Sequence, residues 1–465
     1  MAVTPIDGRY RKHTRALESY FSEFALIRYR VRVEIEWYLA LAANPAIDAI
    51  APLGPAAEKK LRAISGAFAL ADARRVKELE AATNHDVKAV EYFVKERVAA
   101  IDPKLPCEMV HFACTSEDIN NLAYALILKD FTADELAARI ERIVGAIAQL
   151  AHRYKALPML ARTHGQEASP TTMGKEMAVF AARLDRQLGQ IRRTEFLGKF
   201  NGAVGNFNAH AFAYPEIDWF DFSRRFVEGL GLTWNPLTTQ IESHDFIAEL
   251  FGTVERAGTI LIGFCRDMWS YISIGYFAQK AVAGEVGSSA MPHKINPIDF
   301  ENCEGNLGVA NAIFAHLAAK LPISRWQRDL TDSTAMRAMG EAFGHFVAAL
   351  AALERGMARV HVDEVRIAAD LDADQAWEVV AEAIQTLMRR KGIARPYETL
   401  KELTRGRKID RAVMDEFIGQ LKLDPESKAA ILALSPKSYT GLAAELAERF
   451  APRRRESASR PRGRK

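Results

Sequence analysis

Residues 246–271, FIAELFGTVERAGTILIGFCRDMWSY, decide the fold class. Phe246, Leu250, Val254, Ala257, Leu261, Phe264, Met268 and Tyr271 recur at steps of three and four, with no proline between Pro236 and Pro292. That period puts all eight on one stripe of a helix about seven turns long. Ile247, Phe251, Ile262 and Trp269 lie off the stripe, so the helix is expected to be buried all round or to pack against another subunit.

Three more segments repeat the pattern. Leu136, Ile140, Ile143, Ile147, Leu150 and Tyr154 form one stripe, with Thr132 and Glu135 read as the capping box that starts its helix. Met173, Met177, Phe180, Leu184, Leu188 and Ile191 follow Pro170, and Leu307, Ala310, Phe314, Leu317 and Leu321 form the last. Steps averaging near 3.5 favour helices packed nearly parallel. The expectation is an all-α protein with a central long-helix bundle over 111–365. Smaller helical domains flank it at 1–110 and 366–450, where Pro45, Pro52, Pro55, Gly392, Pro396 and Pro425 punctuate shorter helices. Strand-like alternation is rare.

The chain has 465 residues, more than one core usually organises, and its 49% hydrophobic and 26% charged composition is that of an ordinary globular protein. Its net charge of +3 resides in the tail, APRRRESASRPRGRK at 451–465, which carries seven basic residues and one acidic. Without the tail the net charge is −3, so no nucleic-acid-binding core is expected; the tail itself reads as a solvated end that offers at most a polyanion contact. Cys107, Cys114, Cys265 and Cys303 are too few and too scattered for a disulfide framework, which implies a reducing cytoplasm. The N-terminus lacks an apolar signal core, and Arg266 and Asp267 interrupt the most apolar stretch, so no membrane role is expected.

The sequence contains no Walker A loop, no Gly-x-Gly-x-x-Gly after a strand and no His-Glu-x-x-His. Gly287-Ser288-Ser289-Ala290-Met291 fails the nucleophile-elbow pattern, because Met stands in place of the second glycine. What remains is 284–297, GEVGSSAMPHKINP, a polar, Gly-flanked insert between two long apolar helices. Read from its residues alone it is either a connector or a mobile lid whose hydroxyls exchange protons and whose Lys294 and Asn296 bind a carboxylate.

Ser-Ser-x-Met-Pro-x-Lys-x-Asn-Pro resembles the signature loop of the fumarase/aspartase superfamily. The longer stretch GSSAMPHKINPIDFENCEGNLG (287–308), followed by LPISRWQRDLTDST (321–334), is similar to the adenylosuccinate lyases of the longer bacterial type. The likeness runs from Asp7-Gly8-Arg9-Tyr10 to about Leu446 and leaves out only the basic tail. It implies β-elimination of fumarate from adenylosuccinate and from succinylaminoimidazole carboxamide ribotide, without metal or cofactor, in a cytoplasmic homotetramer whose sites are shared between chains. By the same resemblance Ser288 is the general base, although the residues alone leave Ser288 and Ser289 open for that role. A free serine is too weak a base unless backbone N–H groups and positive charge favour its alkoxide. Ser289 is then a substrate contact, Lys294 and Asn296 hold the succinyl carboxylate, and Glu301 orients His or Lys partners.

His164, in Arg-Thr-His-Gly-Gln at 162–166, matches the general acid, a task that suits imidazole because it titrates near neutrality. His85, between Asn84 and Asp86, matches a second histidine near the substrate; the plainer alternative is a helix-capping cluster supplied by Thr83 and Asp86. Thr115 and Ser116 match succinyl contacts and, with Glu117 and Asp118, also read as a capping box, and a helix N-terminus can serve both purposes. Arg9, Tyr10, Arg328, Ser333 and Arg337 match nucleotide and phosphate positions, where paired guanidiniums bind bidentately. Gln240 and Asn302 match further substrate contacts. Argininosuccinate lyase, fumarase and aspartase are the enzymatic alternatives, but their substrates carry no phosphate for those arginines. A helical scaffold without catalysis, or an RNA-associated protein acting through its tail, are the non-enzymatic ones.

Overall fold

In the computed structural model, which describes residues 2–280, 295–404 and 411–450, the stripe centred on Leu261 lies on one unbroken helix, Asp245–Ser273. Seven of its eight residues, Phe246 to Met268, are 5% exposed or less, and Tyr271 is half-buried. Off the stripe, Ile247 and Phe251 are buried as expected. Ile262 is half-buried, and Trp269 stays 47% exposed, its indole N–H donating to Glu301 at 3.1 Å.

The elements used below are, in chain order, α1 (Glu23–Ala42), α2 (Leu70–Thr83), α3 (Asp86–Ile101), α4 (Ser116–Phe131), α5 (Ala137–Arg153), β1 (Pro158–Thr163), β2 (Gln166–Thr172), α6 (Met173–Arg192), α7 (Asp245–Ser273), α8 (Ile298–Lys320) and α9 (Met339–Arg359). The other three stripes run along α5, α6 and α8, with Leu136, Tyr154 and Leu321 each one residue beyond a helix end. All their residues are buried except Leu150, which is half-buried.

Thr132 does not cap α5. A cap needs an extended residue at which the chain arrives from outside the helix, whereas Thr132 has φ −63° and ψ −41°. The helix runs on from α4 through one wide turn, Thr132–Leu136, and this keeps Phe131 and Leu136, both 0% exposed, on the buried side. A second departure is the antiparallel hairpin β1–β2, which the all-α expectation did not include. Thr163 pairs with Gln166, so His164 and Gly165 alone make the turn, at φ 55° and 78°. Two successive positive φ values are what a tight two-residue hairpin turn requires.

The chain forms two compact units, each drawn from three stretches. The first comprises Met1–Arg139, Gln187–Thr259 and Gly305–Ala351. Its core includes a ring cluster in which Phe343 of α9 meets Phe21, Phe131, Phe251 and Phe314 at centroid distances of 5.1, 4.7, 5.7 and 4.9 Å. The second comprises Ile140–Arg186, Ile260–Glu304 and the described part of Ala352–Lys465. There Phe180 packs edge-on against Phe264, and Asp299 pairs with Arg355 and Arg359 at 3.1 and 3.4 Å. Ile384, Met388, Met414 and Ile418 centre a smaller apolar cluster. No described helix is long and apolar enough to cross a membrane.

Candidate active site

Within the first unit, four separated stretches of chain line one cavity of about 670 Å³. Asn84, His85 and Asp86 come from the α2–α3 junction. Thr115 and Ser116 come from the start of α4, Gln240 from the loop before α7, and Arg328, Ser333 and Arg337 from the segment before α9. Nine of the residues singled out from the sequence therefore share one wall system.

Local chemistry explains the α2–α3 corner. Asn84 ends α2 in the left-handed conformation, φ 51°, which Asn tolerates better than most residues, and its N–H reaches Glu80 O at 2.7 Å. His85 is extended and caps α3, its Nδ1 accepting from the Lys88 N–H at 3.2 Å. The cap is thus His85 itself, and not Thr83, whose hydroxyl donates to Leu79 O. With Nδ1 as acceptor, the neutral ring carries its proton on Nε2. Asp86 lies 2.8 Å from the buried Arg30. Burial pushes the Asp86 carboxyl up, but the Arg30 charge and the Val87 N–H outweigh it and hold the group below the ordinary carboxylate range.

Thr115, extended at φ −107°, is the N-cap of α4, and its N–H donates to Asp118 at 2.8 Å, so the capping reading of 115–118 holds with Asp118 as the acid. The half-buried side chains of Thr115 and Ser116 sit where the free N–H groups and dipole of a long helix favour an anion. Asp118 is wholly buried, bonded by the N–H groups of Asn201 and Gly202 and paired with Lys199 Nζ at 2.8 Å.

Arg328 brings positive charge to the cavity, its guanidinium 2.6 Å from Glu117 and 3.4 Å from the Ser333 hydroxyl. Gln240 ties two loops together, its backbone N–H donating to Gln327 O and its side-chain amide to Ala203 O. Behind them His244, buried and left-handed at φ 62°, lies 3.2 Å from Asp332. Burial raises the Asp332 carboxyl, but the His244 hydrogen bond and the Arg328 charge prevail and lower it.

Arg9 and Tyr10 belong to the same unit but do not line this cavity. Arg9 is exposed, and the Tyr10 hydroxyl accepts from Asn306 at 3.2 Å. In the second unit, His164 is exposed at the hairpin tip, Asn302 is half-buried on α8, and Asn296 is half-buried just before it. Ser288, Ser289 and Lys294 lie outside the described residues, as does the basic tail. Among the described residues no group of His, Cys, Asp and Glu is arranged to hold a metal ion.

Sequence reasoning passed over Arg30, Asn120, His244 and Asp332, and saw Glu117 only as part of a cap. One signal was available. The run Leu122–Leu128 is apolar on every side, so the polar turn directly before it, Glu117, Asp118, Asn120 and Asn121, must also be buried, and all four are 6% exposed or less.

Comparison with known proteins agrees with this geometry. The family described as "Lyase" matches residues 8–314, and the one described as "Adenylosuccinate lyase C-terminal" matches 324–440. Adenylosuccinate lyase of Vibrio cholerae serotype O1 is 54% identical, covering 97% of this chain and 98% of that protein. The Escherichia coli K12 enzyme is 52% identical over 95% and 97%, and that of Dictyostelium discoideum 47% identical over 95% and 96%. Among solved structures, a fumarate lyase from Mesorhizobium sp. BNC1 superimposes with a TM-score of 0.74 at 19% identity, covering 93% of this chain and 96% of that one. The 3-carboxy-cis,cis-muconate lactonizing enzyme of Pseudomonas putida gives 0.72 at 21% identity, covering 94% and 96%; at such identities the likeness speaks for the fold alone.

Proposed function

This chain belongs to the adenylosuccinate lyase family, and from that membership we propose that it cleaves adenylosuccinate to AMP and fumarate. In parallel it cleaves succinylaminoimidazole carboxamide ribotide to aminoimidazole carboxamide ribotide and fumarate. The observation that carries the reading from the geometry is the 670 Å³ cavity, in which a helix N-terminus, two guanidiniums and the His85 corner meet. That combination suits a ligand bearing both carboxylates and a phosphate.

The reaction removes a proton from the carbon beside one succinyl carboxylate while the C–N bond to the purine amine breaks. The electron pair of the C–H bond becomes part of the fumarate double bond, and the departing nitrogen takes a proton. The Ser288 hydroxyl, acting as alkoxide, is the base, and His164 protonates the nitrogen. The doubly charged aci-carboxylate is the costly species. Thr115, Ser116, Lys294 and Asn296 stabilise it with fixed donors that need no reorganisation. Arg328, Ser333 and Arg337, with Arg9 and Tyr10, take the nucleotide and phosphate, and Gln240 and Asn302 are further substrate contacts.

His164 at the tip of an exposed hairpin supports a site completed between chains of a homotetramer, because a general acid exposed to water serves best when a neighbouring copy covers it. The four cysteines, all free, are compatible with the reducing cytoplasm in which this enzyme works. The test is direct. Purified protein mixed with adenylosuccinate should release AMP and fumarate in equal amounts, and none from aspartate or argininosuccinate. Absence of fumarate from both succinyl nucleotides would sink the reading.

A further inference from the structure

An acidic residue in the first turn of a helix is ordinarily a solvated partner of the helix dipole. Glu117, the second residue of α4, departs from that pattern, since it is 1% exposed. Its Oε1 lies 2.6 Å from Arg328 Nη1 and accepts a hydrogen bond from the Asn120 side-chain amide at 2.8 Å. The carbonyl oxygen of that same amide accepts from Arg30 Nε at 2.8 Å, and Arg30 Nη2 lies 2.8 Å from Asp86. Asp86, Arg30, Asn120, Glu117 and Arg328 thus form one continuous chain inside the first unit, which begins and ends on residues lining the cavity.

We propose that Glu117 is a positioning residue for the elimination: it sets the Arg328 guanidinium at the cavity and, through Asn120 and Arg30, ties it to the His85–Asp86 corner. The inference rests on the functional reading above and deepens it, because it names what aims the phosphate-binding arginine. Two features of the chain favour this over a purely structural role. The middle link must both accept from Arg30 and donate to Glu117, which an asparagine amide does and an aspartate cannot. Moreover, Glu117 Oε2 and Arg328 Nη1 are both buried without an aligned hydrogen-bond partner, so the two side chains, 2.6 Å apart, are held by charge. An unpaired buried carboxylate oxygen is costly, and a stable helix start does not call for one. The return is a guanidinium gripped from one side, with Asp332 3.9 Å from Arg328 Nη2 as a second, looser hold.

Arg328 touches a group of the substrate that does not change charge during elimination. Loosening it therefore weakens ground state and transition state alike, which raises KM and spares kcat. The experiment uses the full chain and adenylosuccinate. Glu117→Gln should raise KM about tenfold with kcat within about twofold of wild type, as expected from losing one charge-assisted contact. In an Arg328→Ala background the same change should raise KM further by less than about twofold, since its target is gone. If the Gln variant does not fold, Glu117→Asp keeps the buried charge while its shorter stem withdraws from Arg328, and the same KM rise is expected. An unchanged KM in the folded variant, or equal KM effects in the wild-type and Arg328→Ala backgrounds, would overturn the proposal. A wild-type enzyme without turnover would instead overturn the functional reading beneath it.

Discussion

His210 makes the stability of the first unit depend on pH in a calculable way. The residue is 0% exposed, and neither ring nitrogen has a hydrogen-bond partner. Its neighbours are rings: Trp219, Phe207, Trp37 and Phe200 at centroid distances of 4.9, 5.6, 6.2 and 6.2 Å. Burial pushes its pKa down to about 4; the nearby Asp118 raises it and Lys199, paired with that Asp118, lowers it. The folded pKa lies below that of the unfolded chain, about 6.5. As pH falls, the unfolded chain therefore takes up its proton first. The stability tied to the neutral ring is complete above about pH 6.5 and is lost as pH falls towards 4. At pH 5 that loss is about 2 kcal/mol, from roughly one and a half pH units at 1.36 kcal/mol each.

His210→Phe keeps the shape and aromatic character and removes the titration. Thermal melting of both proteins at pH 7, 6 and 5, at one scan rate, isolates the effect, because every other group is common to the two. With about 2–4 °C per kcal/mol for a unit of this size, the melting difference should move in the variant's favour by about 4–8 °C between pH 7 and 5. Parallel melting curves across that range would refute the argument.

Three further outcomes follow from the same physics. Lys199→Met strands the wholly buried Asp118 carboxylate, which its N–H partners only partly satisfy; the loss should be about 3–5 kcal/mol, read as a large fall in melting temperature. His164→Ala changes an exposed hairpin turn, so melting should hold within a degree or two while kcat falls about 10²–10⁴-fold, and an intact kcat would remove His164 from the general-acid role. Gly174→Ala would set a Cβ 2.3 Å from Ala151 O and 2.4 Å from Lys155 Cα, both backbone, so the end of α5 and the start of α6 must separate; about 1–3 kcal/mol of destabilisation is expected by denaturant melting.

What could be read in advance divides along physical lines. Helical period reports a face, and a face long enough to hold eight apolar residues is decided by burial, so α5 to α8 followed from spacing alone. Residue types at element ends report less. Thr132 and Glu135 spell a cap, yet the chain upstream is already helical, and continuing the helix keeps Phe131 and Leu136 buried where a break would not. His164-Gly165 spells a hairpin turn only once positive φ is considered for a histidine, a cost such a residue bears where flanking strands impose it.

The motif residues at 84–86, 115–116 and 328–337 were recognisable singly, and their meeting in one cavity was not. What joins them is a set of ion pairs spanning many residues, Arg30 to Asp86 and Glu117 to Arg328, each with one buried partner, and a pair has no signature in either partner's own neighbourhood. The indirect trace is burial itself. A charged turn that runs straight into Leu122–Leu128 has no solvent side to face. Each acid in it must therefore find a cation supplied by another part of the chain, and Lys199 and Arg328 are those cations.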